Sequence, residues 1–238
     1  MKKNIIFLIL VVFFISSCSS SYKADEGVTD MFVSDSISEN LNIVQDGKLT
    51  FFDGPGIDSL LIFIPGGKVS HKAYAPILCK FAQAGIDSVL VKVPMDLAIL
   101  NTSCAEPALK KYSEEYQTVY LGGHSLGGAV ASMYAPKALK RYSNLKGLFL
   151  LAAYSTNSCD SNDFKILSVR GSNDGVLQMD KYEKYMSKAG PFSELIIEGG
   201  NHAMFGNYGE QKGDGEGSVT AEDQQSQTVQ FFLDNYLP

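Results

Sequence analysis

Three side chains, Ser125, Asp174 and His202, have the types that nucleophilic chemistry needs. A serine hydroxyl is a weak nucleophile until a nearby base takes its proton and a third group orients that base. Residues 123–127 read Gly-His-Ser-Leu-Gly, the pattern G-x-S-x-G, after the apolar run 119–121 and before a stretch of small residues. A serine set between a strand and a helix in this way projects from a tight turn, and glycines flank it because a side chain there would strike the neighbouring backbone. The N–H of Leu126 then points into the site from a helix start, where amide donors are unpaired and the dipole favours negative charge.

Of the three histidines, His124 adjoins the serine and is expected to face away from it, and His71 lies early in the chain. His202 follows the last strand-like run, between Gly199-Gly200-Asn201 and the final helix, so it is the expected base. Asp174, in the turn "SNDGV" just past a strand-like run, is the expected acid, with Asp160 and Asp163 as rivals. Asp174 stands 49 positions after Ser125, and His202 28 after Asp174. A second oxyanion donor is expected from the N–H of Gly67 in "PGGKVSH", with Lys68 next to it; losing one such donor typically costs about 10²–10³ in rate. The expected mechanism needs neither a metal nor an organic cofactor.

These residues need a frame that brings distant loops to one edge. Strand-like runs at 49–52, 60–64, 88–93, 118–121, 147–151, 165–169 and 194–198 alternate with helix-like runs at 74–84, 104–116, 126–141, 178–188 and 221–236. The strands are apolar on both faces, which predicts an α/β fold with a mostly parallel sheet covered by helices on both sides. Only residues 152–164 separate two of the strand-like runs, which leaves little room for a large lid, and none is expected. The glycine-rich segment 205–218 reads as a loop. Its Glu210, Asp214 and Glu216 lack the spacing of a calcium-binding EF-hand loop, and the loop is expected to wall the substrate pocket opposite Lys68 and Tyr74.

The chain has 238 residues, of which 45% are apolar and 19% charged, enough for one sizeable core. A net charge of −6 and no basic block argue against nucleic acid as a partner. Residues 1–17 carry Lys2 and Lys3 and an apolar run of about 11 residues from Ile5 to Ile15, the pattern of a signal peptide. As a helix that run spans ~16 Å, short of the ~30 Å hydrocarbon core. Ile15-Ser16-Ser17-Cys18 resembles a bacterial lipobox, so Cys18 is expected to become the lipidated first residue of an exported, envelope-anchored protein. Residues 18–40 are polar and expected to be a tether; 41–238 form the domain. Cys79 is expected to pack inward, and Cys104 and Cys159 to pair.

The segments "PGGKVSHKAYAP", "GGHSLGGAVAS", "GLFLLAAY", "RGSNDGV" and "GGNHAMFGNYGEQKGDG" together resemble a small, lidless member of the α/β-hydrolase superfamily. The similar branch is bacterial and exported, and it is related to dienelactone hydrolases, which carry cysteine where this chain has serine. The order Ser, Asp, His is the one that such a sheet produces. The resemblance implies Ser125, Asp174 and His202 as the triad and Gly67 with Leu126 as oxyanion donors. The implied activity is cleavage of a small-molecule carboxylic ester through an acyl-enzyme. A lipid-anchored binding protein on the same fold, a thioesterase and an acyltransferase are the alternatives.

Overall fold

The computed structural model describes residues 21–31, 40–56, 58–159 and 163–236. Eight strands form one sheet: β1 (Asn42–Asp46), β2 (Leu49–Asp53), β3 (Ser59–Ile64), β4 (Ile86–Val91), β5 (Thr118–His124), β6 (Leu145–Leu151), β7 (Lys165–Gly171) and β8 (Phe192–Ile197). Their order is β1-β2-β4-β3-β5-β6-β7-β8. The pairings β1/β2 and β2/β4 are antiparallel and all others parallel. This is the α/β-hydrolase fold, and among the described residues no large lid crosses it.

Alternation along each buried strand sends side chains to two separate cores. Leu60, Ile62 and Ile64 join the core beneath α3 (Glu106–Tyr112), α4 (Leu126–Ala138) and α5 (Met179–Ala189). Leu61 and Phe63 join the opposite core with α1 (Glu26–Met31), α2 (Ala75–Gln83) and α6 (Ala221–Tyr236). Two full cores explain why β3 and β4 are buried at every position. β1 was not foreseen: four of its five residues are exposed, so it lacks the apolar run that marks the central strands. It is held by the two-residue turn at Gly47-Lys48, where Gly47 has φ of 59°, pairing Asp46 with Leu49.

Chain order reverses between β3 and β5. From β3 the chain runs outward to β4, and from β5 it runs the other way through β6, β7 and β8. Loops leaving the carboxyl ends of these two strands diverge and leave a crevice, the usual place for a ligand in such a sheet. The glycines of residues 122–123 belong to β5 itself and not to a hinge. A Cβ on Gly123 would lie 2.6 Å from the carbonyl carbon of Gly127 and 2.7 Å from the carbonyl oxygen of Ile64. β5 must therefore be bare there so that α4 can cross it closely.

Two expectations are revised. Cys104 and Cys159 are not bridged: Cys79 and Cys104 are buried free thiols. Cys104 lies in the connection from β4 to β5, whereas Cys159 follows β6 and lines a cavity together with residues of β7 and β8, several strands away. Burial pushes the thiols of Cys104 and Cys79 up to about 11 and about 12. The segment expected as a tether is also partly built into the body. Tyr22 pairs with Val69, its N–H donating to the Lys68 carbonyl (2.7 Å) while its own carbonyl accepts from Ser70 (2.9 Å). Val28 is buried in the core against α2. Cys18 and the rest of residues 1–20 lie outside the described residues, as do 32–39.

Candidate active site

Ser125 stands between the end of β5 and the first turn of α4 with φ 51° and ψ −119°. A positive φ strains any residue with a Cβ, and it persists here because the surroundings over-determine it. The Ser125 N–H donates to the Leu151 carbonyl at 2.8 Å, and its own carbonyl accepts from Ala129. Gly127 and Gly128 keep α4 tight against the sheet: a Cβ on Gly127 would lie 2.1 Å from the Ile64 carbonyl oxygen, and one on Gly128 2.6 Å from the Ala153 side chain. Among the described residues the other non-glycine positive φ values fall at Lys68, Met95, Asp96 and Ala152. All five follow the carboxyl ends of β3, β4, β5 and β6, so the strain gathers on one edge of the sheet.

Asp174 and His202 follow β7 and β8 on that same edge. Nδ1 of His202 donates to Oδ2 of Asp174 at 2.9 Å, and both side chains are almost fully buried. The other Asp174 oxygen accepts the N–H groups of Val176 and Leu177, each at 2.8 Å. Burial alone would raise the Asp174 carboxyl. The hydrogen bond and charge of His202, with those two amides, outweigh it and hold the group below the ordinary carboxylate range. The Nε2 of His202 is buried and makes no hydrogen bond within the protein. It belongs to the same cavity wall as Ser125. Of the rival acids, Asp163 is exposed at the opposite, amino-terminal end of β7, and Asp160 lies outside the described residues.

The loop after β3 divides its amides clearly. The Gly66 N–H donates to the Tyr74 hydroxyl (3.0 Å), and the Lys68 N–H donates to the Asp96 carbonyl (2.7 Å). Between them, the Gly67 N–H has no intramolecular acceptor among the described residues, and neither has the Leu126 N–H at the start of α4. Gly67 sits against Leu126, since a Cβ on Gly67 would lie 2.9 Å from that side chain. Gly67 therefore lies against the first residue of α4, next in sequence to Ser125.

Tyr74 was expected on the pocket wall. It is instead fully buried, with a hydroxyl that accepts from Gly66 and therefore donates to Nδ1 of His124 at 2.8 Å. Desolvation, then the nearby charge of His202, hold His124 well below the ordinary imidazole range, so it is neutral. Its ring lies 4.5 Å from that of His202, behind the expected base and on the core side. His71 does not line the cavity; desolvation first, with Lys92 and Lys72, lowers it to about 4 against the pull of Asp96.

The cavity in front of Ser125 has a volume of about 180 Å³ and is walled mainly by Leu97, Ile99, Met133, Ala153, Val176 and Leu177. Among the described residues the only titratable groups on the wall are His202 and the tyrosines 154 and 185, whose rings stack at 5.3 Å. The glycine-rich loop 205–218 contributes no wall residue, contrary to expectation; it lies behind His202 and Asp174. Among the described residues no three His, Cys, Asp or Glu side chains converge as metal ligands, and no helix is long and apolar enough to cross a membrane.

A family model described as the alpha/beta hydrolase family matches residues 60–226. No curated protein matches the chain. Among solved structures the chain is similar to Est1E from Butyrivibrio proteoclasticus, with a TM-score of 0.55 at 15% identity over 82% of this chain and 98% of that one. It is also similar to carboxyl esterase 2 of the fungus Tuber melanosporum, with a TM-score of 0.57 at 12% identity over 92% of each chain. A thermophilic esterase of Thermogutta terrifontis gives 0.54 at 14% identity over 82% of this chain and 92% of that one. At such identities the likeness is one of fold.

Proposed function

The chain belongs to the α/β-hydrolase family, and on that premise we propose that it is a serine hydrolase that cleaves carboxylic esters with a small, uncharged acyl group. Ser125 attacks the ester carbonyl as His202 takes its proton at Nε2. The N–H groups of Gly67 and Leu126 hold the oxyanion, and Asp174 keeps Nδ1 of His202 protonated and stabilises the imidazolium. His202 then returns the proton to the leaving alcohol. Water attacks the acyl-enzyme with His202 again as base.

The observation that carries this reading is the coincidence, on one cavity, of a serine in a forced backbone conformation with a buried imidazole whose near nitrogen is tied to a carboxylate and whose far nitrogen is unpaired. The apolar walls support a neutral acyl group. The volume of about 180 Å³ is below the ~300–1,000 Å³ of drug-sized sites and supports short chains over long ones. The esterase names of the fold neighbours are consistent with the reaction class. We place the protein at a bacterial envelope, exported and held by acyl chains on Cys18, as the lipobox-like residues 15–18 suggest. Mass spectrometry of the mature N-terminus tests that placement.

A fluorophosphonate probe tests the reaction. The expected result is stoichiometric labelling of the wild type, none in Ser125→Ala, and turnover of a series of p-nitrophenyl esters that declines as the acyl chain lengthens. An unlabelled wild type would show instead a binding protein on a hydrolase fold.

A further inference from the structure

The carboxylate of Asp214 stands behind the proposed base and accepts four backbone N–H groups. Oδ1 accepts from Gly175 (3.1 Å), His202 (3.1 Å) and Gly215 (2.9 Å), and Oδ2 accepts from Ala203 (2.8 Å). These donors come from three segments. Gly175 adjoins Asp174 in the loop after β7. His202 and Ala203 open the short 3₁₀ turn Ala203–Phe205 after β8, whose amides would otherwise be orphans. Gly215 belongs to the glycine-rich loop itself. One side chain therefore joins the backbone of the acid loop to that of the base loop, at positions adjoining the His202–Asp174 hydrogen bond.

The rest of that loop is shaped to deliver the carboxylate. A Cβ on Gly215 would lie 2.0 Å from the Asn173 carbonyl oxygen, and one on Gly175 would lie 2.6 Å from that of Gly213. Gly213 has φ of 88°. Asn173 Nδ2 donates to the Glu216 carbonyl and Asn201 Nδ2 to that of Gly215, both at 2.9 Å, so the asparagines one place before Asp174 and before His202 also grip the loop. None of residues 205–218 lines the cavity. Placed here, the loop meets the site through the residues it holds.

We propose that Asp214 is a positioning residue that sets the register of the base loop against the acid loop, and so fixes the aim of His202 toward Ser125. The proposal rests on the hydrolase reading above. Four hydrogen bonds to an ionised acceptor are individually stronger than neutral ones, and their geometry fixes two loops at once. A misplacement on the scale of 1 Å at a reacting group can cost about 10²-fold in rate.

The test compares Asp214→Ala and the isosteric Asp214→Asn with wild type, at a temperature at which each is folded by circular dichroism. Asp223→Ala is the control, since Asp223 pairs with Thr220 at the start of α6 and costs stability without touching either loop. For a short p-nitrophenyl ester, Asp214→Ala is expected to lower kcat by about 10²-fold and leave KM within about twofold. Asp214→Asn keeps the Oδ1 acceptor and turns an amide toward the Ala203 N–H, so a loss of about tenfold is expected, from one repelled contact. The low-field proton resonance of His202 Nδ1–H should weaken or move upfield in both Asp214 variants and stay in place in Asp223→Ala. A wild-type kcat in folded Asp214→Ala overturns the proposal, as does an equal loss in Asp223→Ala or a loss confined to KM. Should Asp214→Ala fail to fold, Asp214→Asn decides the matter by the same readouts. If wild type takes no fluorophosphonate at Ser125, the hydrolase reading fails, and the low-field proton alone judges the brace.

Discussion

Tyr74 shows how much one hydroxyl can organise. Its oxygen accepts the Gly66 N–H, its proton goes to Nδ1 of His124, and its ring is fully buried. The Gly66 contact holds the loop that leaves the neighbouring Gly67 N–H free, and the His124 contact fixes the ring packed behind His202. Tyr74→Phe removes both partners while keeping the ring. It should cost about 1–3 kcal/mol, because a buried N–H and an imidazole nitrogen are left unsatisfied. In a domain of this size that lowers Tm by roughly 2–4 °C per kcal/mol. Calorimetry of the two proteins checks this, and an unchanged Tm would mean that water replaces the hydroxyl. No feature of "KAYAP" marked Tyr74 for this role; the partners are 8 and 50 positions away, so their meeting depends on how β3, α2 and β5 pack.

At the scale of elements, the close crossing of α4 over β3 and β5 matters most. That contact sets where the Ser125 side chain projects and where the Leu126 N–H points. Gly127 makes it possible, with backbone oxygens of Ile64 and Pro65 at 2.1 and 2.4 Å from the place a Cβ would occupy. Both obstacles are backbone, so neither can rotate aside. Gly127→Ala should cost at least ~1–3 kcal/mol through overpacking. It should also lower kcat/KM for a short ester by about 10²-fold, since the start of α4 must move. Urea unfolding and steady-state kinetics measure the two effects separately; a stable, fully active variant would mean that α4 can slide without moving the elbow. The pattern around Ser125 did make this element readable, because the glycines are adjacent in sequence to what they serve.

For the whole molecule, pH exposes how the histidines are buried. His71 is part-buried in the 3₁₀ turn after the Gly66–Gly67 loop and titrates at about 4, against an ordinary value of 6.5. Above pH 6.5 neither the folded nor the unfolded chain carries this proton. Between 6.5 and about 4 the unfolded chain binds it and the folded one does not, so folded-state stability falls as pH falls through that window. Below about 4 both carry it and the loss stops growing. The slope should be less than the ~1.4 kcal/mol per pH unit of one full proton, because the side chain is partly hydrated. His124, lowered by deeper burial, adds loss of the same sign. His71→Gln should flatten part of the decline between pH 6.5 and 4 in urea-unfolding series, and an unaltered slope would mean that His71 titrates normally in the folded protein. The same scale accounts for residues 21–31. Tyr22 is paired to Lys68 and Ser70, its hydroxyl accepts the Lys212 N–H, and the Asp25 backbone N–H donates to the Asn207 carbonyl. A polar composition gave no sign that this stretch straps together the loops carrying Gly67 and Asp214.

What the sequence determined by itself was local. Runs apolar on both faces dictated a covered parallel sheet, and the order of Ser125, Asp174 and His202, each just past a strand, put all three at one edge. Those signals survive in one dimension because periodicity and turn chemistry act between near neighbours. The tertiary structure alone decided which amides stay unpaired, why Cys104 has no bridge, and why the carboxylate at 214 faces the base loop and not solvent. Each of these depends on groups far apart in the chain that meet only after β3, β5, β7 and β8 are stacked in register, and a hydrogen bond leaves no trace in the spacing of residues it joins.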